Sequence, residues 1–316
     1  MPLIIRKPGI LTTVQDLGRT GARRFGINPC GVMDTTAARI ANTLVGSDES
    51  SAVIETHFPA VELEFDADTT FAISGADFGA KLSRKSVRNW SVTKATAGDV
   101  LTFSKKGSGS RAYIAVHGGI LCDGWLGSSS TNLAIGDSKL VAGDLIDCES
   151  GGVSKDLSAG LSLLPRYNRF PTVRIVAGPE FEFLTASSER TFLTDGFTLT
   201  NDCNRMGYRL SGKPVHLLHA REMVSAAVAF GTIQLLPDGQ LIVLMADHQT
   251  SGGYPRIGNV ISVDLPLLAQ LGPNDGVSFQ LVSVNEAEHL AQRFERELNY
   301  LRVGCKLQRQ NAFDRS

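Results

Sequence analysis

Several things are scarce in this sequence, and each scarcity excludes a class of protein. No apolar run approaches the roughly 20 residues that a membrane-spanning helix needs, and the opening MPLIIRKPG is too short in apolar residues for a leader; a cytoplasmic protein with no membrane partner is expected. An excess of either charge is missing as well. With 31 Lys and Arg against 32 Asp and Glu, there is no basic field to draw in nucleic acid or an anionic surface. The five cysteines, at 30, 122, 148, 203 and 305, are odd in number and form no C-x-x-C pair. That excludes a disulfide framework, argues against a zinc site, and leads us to expect reduced thiols and no metal. Phosphate-binding signatures are missing too: there is no G-x-x-x-x-G-K-[ST], and Gly107-Ser108-Gly109-Ser110 opens no helix, so it reads as a hairpin tip. No G-x-S-x-G accompanies His117-Gly118-Gly119, which removes a serine nucleophile of that kind.

The composition that remains is that of a globular protein, 42% apolar and 20% charged. A chain of 316 residues is long for one core, so two domains are expected. From Phe71 onward short strands are broken by turns, the turn Ala97-Gly98-Asp99 recurring as Ala142-Gly143-Asp144. That spacing predicts a barrel or sandwich of β-strands. Asp34 reads as the N-cap of a helix over about 35–45 whose apolar stripe is Ala37, Ile40, Ala41 and Leu44, stopped by Gly46. A second short helix is expected after Asp264, with Pro266 in its first turn and Gly272-Pro273 beyond its end. A third is expected from Asn285 to about Arg302, capped by Asn285 and Glu288, with a frayed polar tail from Cys305. The Gly-, Ser- and Pro-rich stretch 149–171 is the expected linker, and strand–Gly–acid–Phe patterns at 71–78 and 173–181 form a weak internal repeat. Two β-rich halves, 1–160 with an N-terminal helix and 161–316 with a C-terminal helix, follow from this.

The chemistry concentrates in one stretch, Ala246-Asp247-His248-Gln249-Thr250-Ser251-Gly252-Gly253-Tyr254-Pro255-Arg256. A buried strand over 241–246 holds it, and adjacent glycines suggest positive φ or close backbone approach to a ligand. A tight structural turn is the plainer reading. Other polar residues sit in glycine-rich turns: Asp16, Arg19, Asp34, Glu55, Asp77, Asn204, Arg205 and Glu222. Asp34 is explained as a cap and Asp77 as a turn closer. Arg19 and Arg205 are surface charges by default, with oxyanion or carboxylate binding as the functional alternative. His216 and His219 could share a helix face, but strand-like neighbours and the want of a third ligand argue against zinc.

Read together, several of these strings resemble one family. Thr13-Val14-Gln15-Asp16-Leu17-Gly18-Arg19, Gly31-Val32-Met33-Asp34 and Arg39-Ile40-Ala41-Asn42 match its N-terminal signature. Arg205-Met206-Gly207-Tyr208-Arg209-Leu210, Gly231-Thr232-Ile233-Gln234 and Gln249 to Arg256 match its C-terminal one. The chain resembles the KipA-type, or allophanate hydrolase subunit 2, proteins, which include the C-type component of 5-oxoprolinases and half of the carboxyltransferase domain of urea carboxylase. The resemblance implies a mainly β fold of two cyclophilin-like barrel units. It also implies a KipI-type partner (the B-type component of 5-oxoprolinases), a third, A-type component, and ATP-dependent opening of 5-oxoproline to glutamate, with no cofactor held by this chain alone. Two alternatives are a carboxyltransferase component receiving its carboxyl group from biotin on another protein, since this sequence has no Met-Lys-Met, and a non-catalytic regulator acting through a KipI-type antikinase.

For a planar amide substrate the resemblance makes Asp16, Arg19 and Arg205 the catalytic candidates. Gln249, Thr250, Gly252, Gly253 and Tyr254 are the candidate binding residues, with Asp16 and Arg19 expected to face this loop. Gln249 and Thr250 can each donate and accept, Gly252 and Gly253 offer backbone N–H groups, and Tyr254 offers a flat wall with a polar tip.

Overall fold

The computed structural model describes residues 2–149, 156–160, 162–219 and 223–313. It divides into two compact units that are discontinuous in sequence. The first comprises Met1–Arg19, Asp34–Arg166 and Glu295–Ser316; the second comprises Thr20–Met33 and Tyr167–Phe294. One cut at 160 therefore does not describe them, because residues 20–33 group with the second unit and the end of the chain with the first.

The first unit holds two sheets. Seven strands run in the order Ile120–Leu121, Leu145–Cys148, Pro2–Lys7, Glu62–Phe65, Val100–Phe103, Ala80–Leu82 and Lys85–Ser86. Five more run Thr12–Gln15, Val53–His57, Arg111–Val116, Thr69–Gly75 and Ser91–Ala95. Alternation does the sorting, since a strand's side chains point to opposite faces in turn. Leu3, Ile5, Leu63, Phe65 and Leu101 from the larger sheet meet Ile54, Phe71, Ile73, Ile114 and Val116 from the smaller in one core. Strand Thr69–Gly75 is buried throughout, because helix α1, Thr35–Val45, covers its other face. Ala37, Ala38 and Ala41 are all at most 2% exposed; such small side chains let a helix lie close to a sheet. The Ser74 hydroxyl donates to the Ala37 carbonyl at 2.7 Å. The Asp34 carboxylate accepts from the Ala37 N–H at 2.8 Å, and Gly46 ends the helix at φ 83°. The predicted helix is found from cap to stop.

The second unit is a closed barrel of Thr172–Ala177, Phe197–Cys203, Gly207–Ser211, Thr232–Leu235, Leu241–Leu244, Arg256–Val260 and Gly276–Leu281. Its first and last strands pair in parallel, and closure removes the exposed edges that an open sheet would present. Phe192, Phe197 and Phe279 fill one end of the interior. Phe192 arrives on α2, Ala186–Thr194, capped by Thr185. This helix is not among those expected from the sequence: apart from the Thr185 cap its signal is weak, since its buried residues are only Ser188 and Phe192.

Three expectations change. Helix α3 is Leu265–Ala269 and Asp264 stands at its cap position, but that carboxylate makes no cap bond. It pairs instead with the Arg174 guanidinium, at 2.6 and 2.9 Å. Helix α4 is Val284–Phe313, capped by Ser283, whose hydroxyl accepts from Glu286 N–H, not by Asn285. Its end does not fray at Cys305, which is 5% exposed, and Arg309 donates to the Thr43 and Leu44 carbonyls at the end of α1. Of the expected linker, residues 150–155 and 161 lie outside the described residues, as does Glu222. Its described part is engaged, Val92 N–H donating to the Leu157 carbonyl and Ala159 N–H to that of Trp90.

Candidate functional site

The predicted site residues fall into the two units: Asp16 and Arg19 in the first, Arg205 and Gln249–Tyr254 in the second.

In the first unit, strand Thr12–Gln15 runs straight into Asp16. Its carboxylate accepts from the Gly18 N–H, the Ser128 and Ser130 hydroxyls and the Ser129 N–H, all within 2.7 Å. Those four donors occupy the lone pairs a general base would use, so this carboxylate organises the loop and ties it to Ser128–Ser130. Arg19 stands on the loop so organised. It is 4% exposed, its Nη2 donates to the Ser130 carbonyl at 2.5 Å, and its Cζ lies 5.2 Å from the Trp125 ring centroid. Nε and Nη1 are buried with no hydrogen-bond partner, and no carboxylate pairs with it among the described residues. Buried polar groups are nearly always satisfied, so an orphaned guanidinium calls for an explanation. A planar cation held by an aromatic face, with N–H groups to spare, is suited to an oxygen that carries or gains negative charge.

Arg205 presents the opposite case. It is buried and forms a two-pronged ion pair with Asp247, Nε to Oδ2 at 2.9 Å and Nη2 to Oδ1 at 2.8 Å, while Nη2 also reaches the Gly31 carbonyl at 2.5 Å. Its charge is neutralised internally. The structure thus gives Arg205 the task of fixing the start of the 247–256 loop. The other end is held by Arg256, which bonds the Glu180 carboxylate through its N–H, Nε and Nη2.

Between these pins lies the predicted binding loop. Ser251–Gly252 pairs with Ala226–Ala227 as a two-stranded ribbon. Gln249 is exposed and Thr250 half-buried. Neither Gly252 nor Gly253 has positive φ, which corrects one reason given for the pair. Gly252 is required by a close approach instead: a Cβ there would lie 2.5 Å from Nε2 of the buried Gln234. At Gly253 the nearest atom to a Cβ would be 3.6 Å away, an ordinary contact. His248, absent from the predicted set, is 1% exposed and its Nδ1 lies 2.5 Å from the Gln249 carbonyl. Burial pushes its pKa below the ordinary value, and nearby Arg23 acts in the same sense, against the Gln249 carbonyl and Asp247.

Gly253 and Tyr254 also border a cleft of about 500 Å³ wholly within the second unit. Leu217, Leu235 and Pro237 line its apolar walls, and among the described lining residues His216 and His219 supply the side-chain nitrogens. These histidines stand outside any helix, as their strand-like neighbours suggest. Among the described residues no cluster of three potential metal ligands exists, and no helix is long and apolar enough to cross a membrane.

The sequence matches the profile of the carboxyltransferase domain, subdomains A and B, over residues 25–281. It is 35% identical over 295 residues to the C component of the Haemophilus influenzae 5-oxoprolinase, spanning 92% of this chain and 94% of that protein. It is 35% identical over 314 residues to the corresponding component from Escherichia coli, spanning 98% and 100%. Among solved structures, the urea amidolyase of K. lactis superposes with a TM-score of 0.88 at 26% identity, over 95% of this chain and 20% of that one.

Proposed function

Because this chain belongs to the carboxyltransferase-domain family, we propose that it is the C-type component of an ATP-dependent 5-oxoprolinase, a cytoplasmic hetero-oligomeric complex. The observation that carries the reading is Arg19. Opening the lactam of 5-oxoproline with water gives glutamate, and when a nucleophile adds directly to the amide carbonyl, negative charge collects on its oxygen as the carbon becomes tetrahedral. A buried guanidinium with unused N–H groups is preorganised for that charge and needs no reorganisation when it develops. Asp16 acts as a positioning residue, fixing the loop that carries Arg19, and Arg205 does the same for the 247–256 loop. The names of the Haemophilus and Escherichia relatives point to the same reaction.

The reaction consumes ATP, yet the sequence has no phosphate-binding loop. The nucleotide is accordingly assigned in this reading to another component, KipI-type B or A-type, or to an interface with one of them. A second reading is supported by the likeness to the K. lactis urea amidolyase: carboxyl transfer to an amide or ureido nitrogen, with biotin carried by another protein. The same guanidinium serves both, since each acts on a planar amide-like group. Purified alone, the chain should release no phosphate from ATP and no glutamate from 5-oxoproline. Mixed with its B- and A-type partners it should make both. Robust turnover by the isolated chain, or biotin-dependent carboxylation without glutamate by the complex, would reverse the choice.

A further inference from the structure

The hairpin that carries Trp125 is built at odds with its own stability. Trp125 N–H donates to the Ser128 carbonyl at 2.8 Å and Ser128 N–H to that of Trp125 at 3.2 Å. Leu126 and Gly127 are left as a two-residue turn, both at left-handed φ, 53° and 77°. Such a turn favours Asn or Asp ahead of the glycine, and leucine is strained there. Trp125 and Leu126 are also 45% and 49% exposed. Strain and exposed apolar area that persist together in one turn point to a task. What the turn holds is the surroundings of Arg19, which lies in the same unit. Ser128–Ser130 binds the Asp16 carboxylate. The Ser130 carbonyl accepts the one hydrogen bond that the Arg19 guanidinium makes among the described residues. A single hydrogen bond fixes one atom, Nη2, and leaves the guanidinium free to turn about it. The Trp125 ring, its centroid 5.2 Å from Cζ, restrains that turning and so the direction in which the unused Nε and Nη1 N–H groups point. An aromatic face also attracts a cation without neutralising it, whereas a carboxylate does what Asp247 does to Arg205.

We propose that Trp125 is a positioning residue for the reaction: its ring sets the orientation of the Arg19 guanidinium and keeps that charge unneutralised, so that the 125–128 turn and Asp16 together preset one oxyanion donor. This rests on the 5-oxoprolinase reading. Under it the ring touches no reacting atom and acts only through Arg19. A guanidinium free to turn loses its aim at charge that develops in the transition state, while ground-state binding is little touched. Removing the ring should therefore lower kcat and leave KM in place.

The experiment uses the complex reconstituted with Trp125→Ala, Trp125→Phe and Trp125→Leu chains, co-elution showing that each assembles. For Trp125→Ala, kcat for glutamate formation should fall about 10-fold, the worth of a well-shielded cation–π contact, with KM within about twofold. Trp125→Phe should retain most of the parent rate and Trp125→Leu little more than Trp125→Ala, because leucine has bulk but no ring face. On an Arg19→Ala background, Trp125→Ala should cost nothing further. The contact itself is read without activity: Arg19→Ala should change the tryptophan emission of the isolated chain, and should change nothing in the Trp125→Ala chain. Parent-like kcat in Trp125→Ala, equal rates for the Phe and Leu variants, or a full second loss on the Arg19→Ala background overturns the inference and leaves the functional reading standing. Emission indifferent to Arg19 does the same, by removing the contact. A parent complex that makes no glutamate while the emission change is present overturns the functional reading, and with it the role of the ring in the reaction.

Discussion

Two arginines that look alike in the sequence, each hemmed by small or apolar neighbours, have opposite electrostatic lives. Arg205 is locked to Asp247, and breaking a buried pair strands a charge at a cost of about 3–5 kcal/mol. Arg205→Ala should therefore lower stability by that order in chemical denaturation, and a variant as stable as the parent would contradict the buried pair. Arg19 has one hydrogen bond, the Trp125 contact and no ion-pair partner among the described residues, so Arg19→Ala should cost less than Arg205→Ala, about 1–2 kcal/mol. Sequence could not separate them, because the deciding partners lie 42 residues away for Arg205 and 111 for Arg19. His248 is hidden for a related reason, since only the folded chain shows that it is buried. Its lowered pKa fixes a sign: as pH falls below about 6.5, the unfolded chain takes up the proton first, and stability drops until the folded pKa is reached. The parent protein should lose Tm between pH 7 and 5, and His248→Asn should lose less over that interval. Equal losses would remove His248 as the cause.

At the scale of elements, local signals are readable wherever they are sufficient. Helix α1 has its cap, its alanine-rich stripe and its glycine stop within the segment Asp34–Gly46, and it is found where they place it. The last part of α4 is not readable, because nothing in the polar stretch after Arg302 favours order on its own. It is held from outside, by burial of Cys305 and by Arg309 on the carbonyls of α1. The glycine pair is intermediate: its importance is visible in the sequence, while its reason is not. Gly252 is tight against Gln234 and Gly253 is not. Gly252→Ala should therefore destabilise by about 1–3 kcal/mol through overpacking, whereas Gly253→Ala should leave Tm unchanged. Equal Tm values for the two variants would contradict the close approach at 252.

At the scale of the molecule, the β-rich character is legible from turn spacing, and the second unit closes into the predicted kind of barrel. The exchange of segments is not legible: residues 20–33 group with the second unit and Glu295–Ser316 with the first, and no composition shift marks either point. The central claim is that this chain brings a buried, unneutralised guanidinium to a multi-component 5-oxoprolinase. Its most direct test is the rate of ATP-dependent glutamate formation from 5-oxoproline by the complex assembled with the parent chain and with Arg19→Ala, co-elution of the components being checked in both. The account predicts glutamate formation by the parent complex and a fall in kcat of about 10²–10³ in the intact variant complex, the usual consequence of losing one oxyanion donor. Parent-like turnover by a fully assembled Arg19→Ala complex would contradict it.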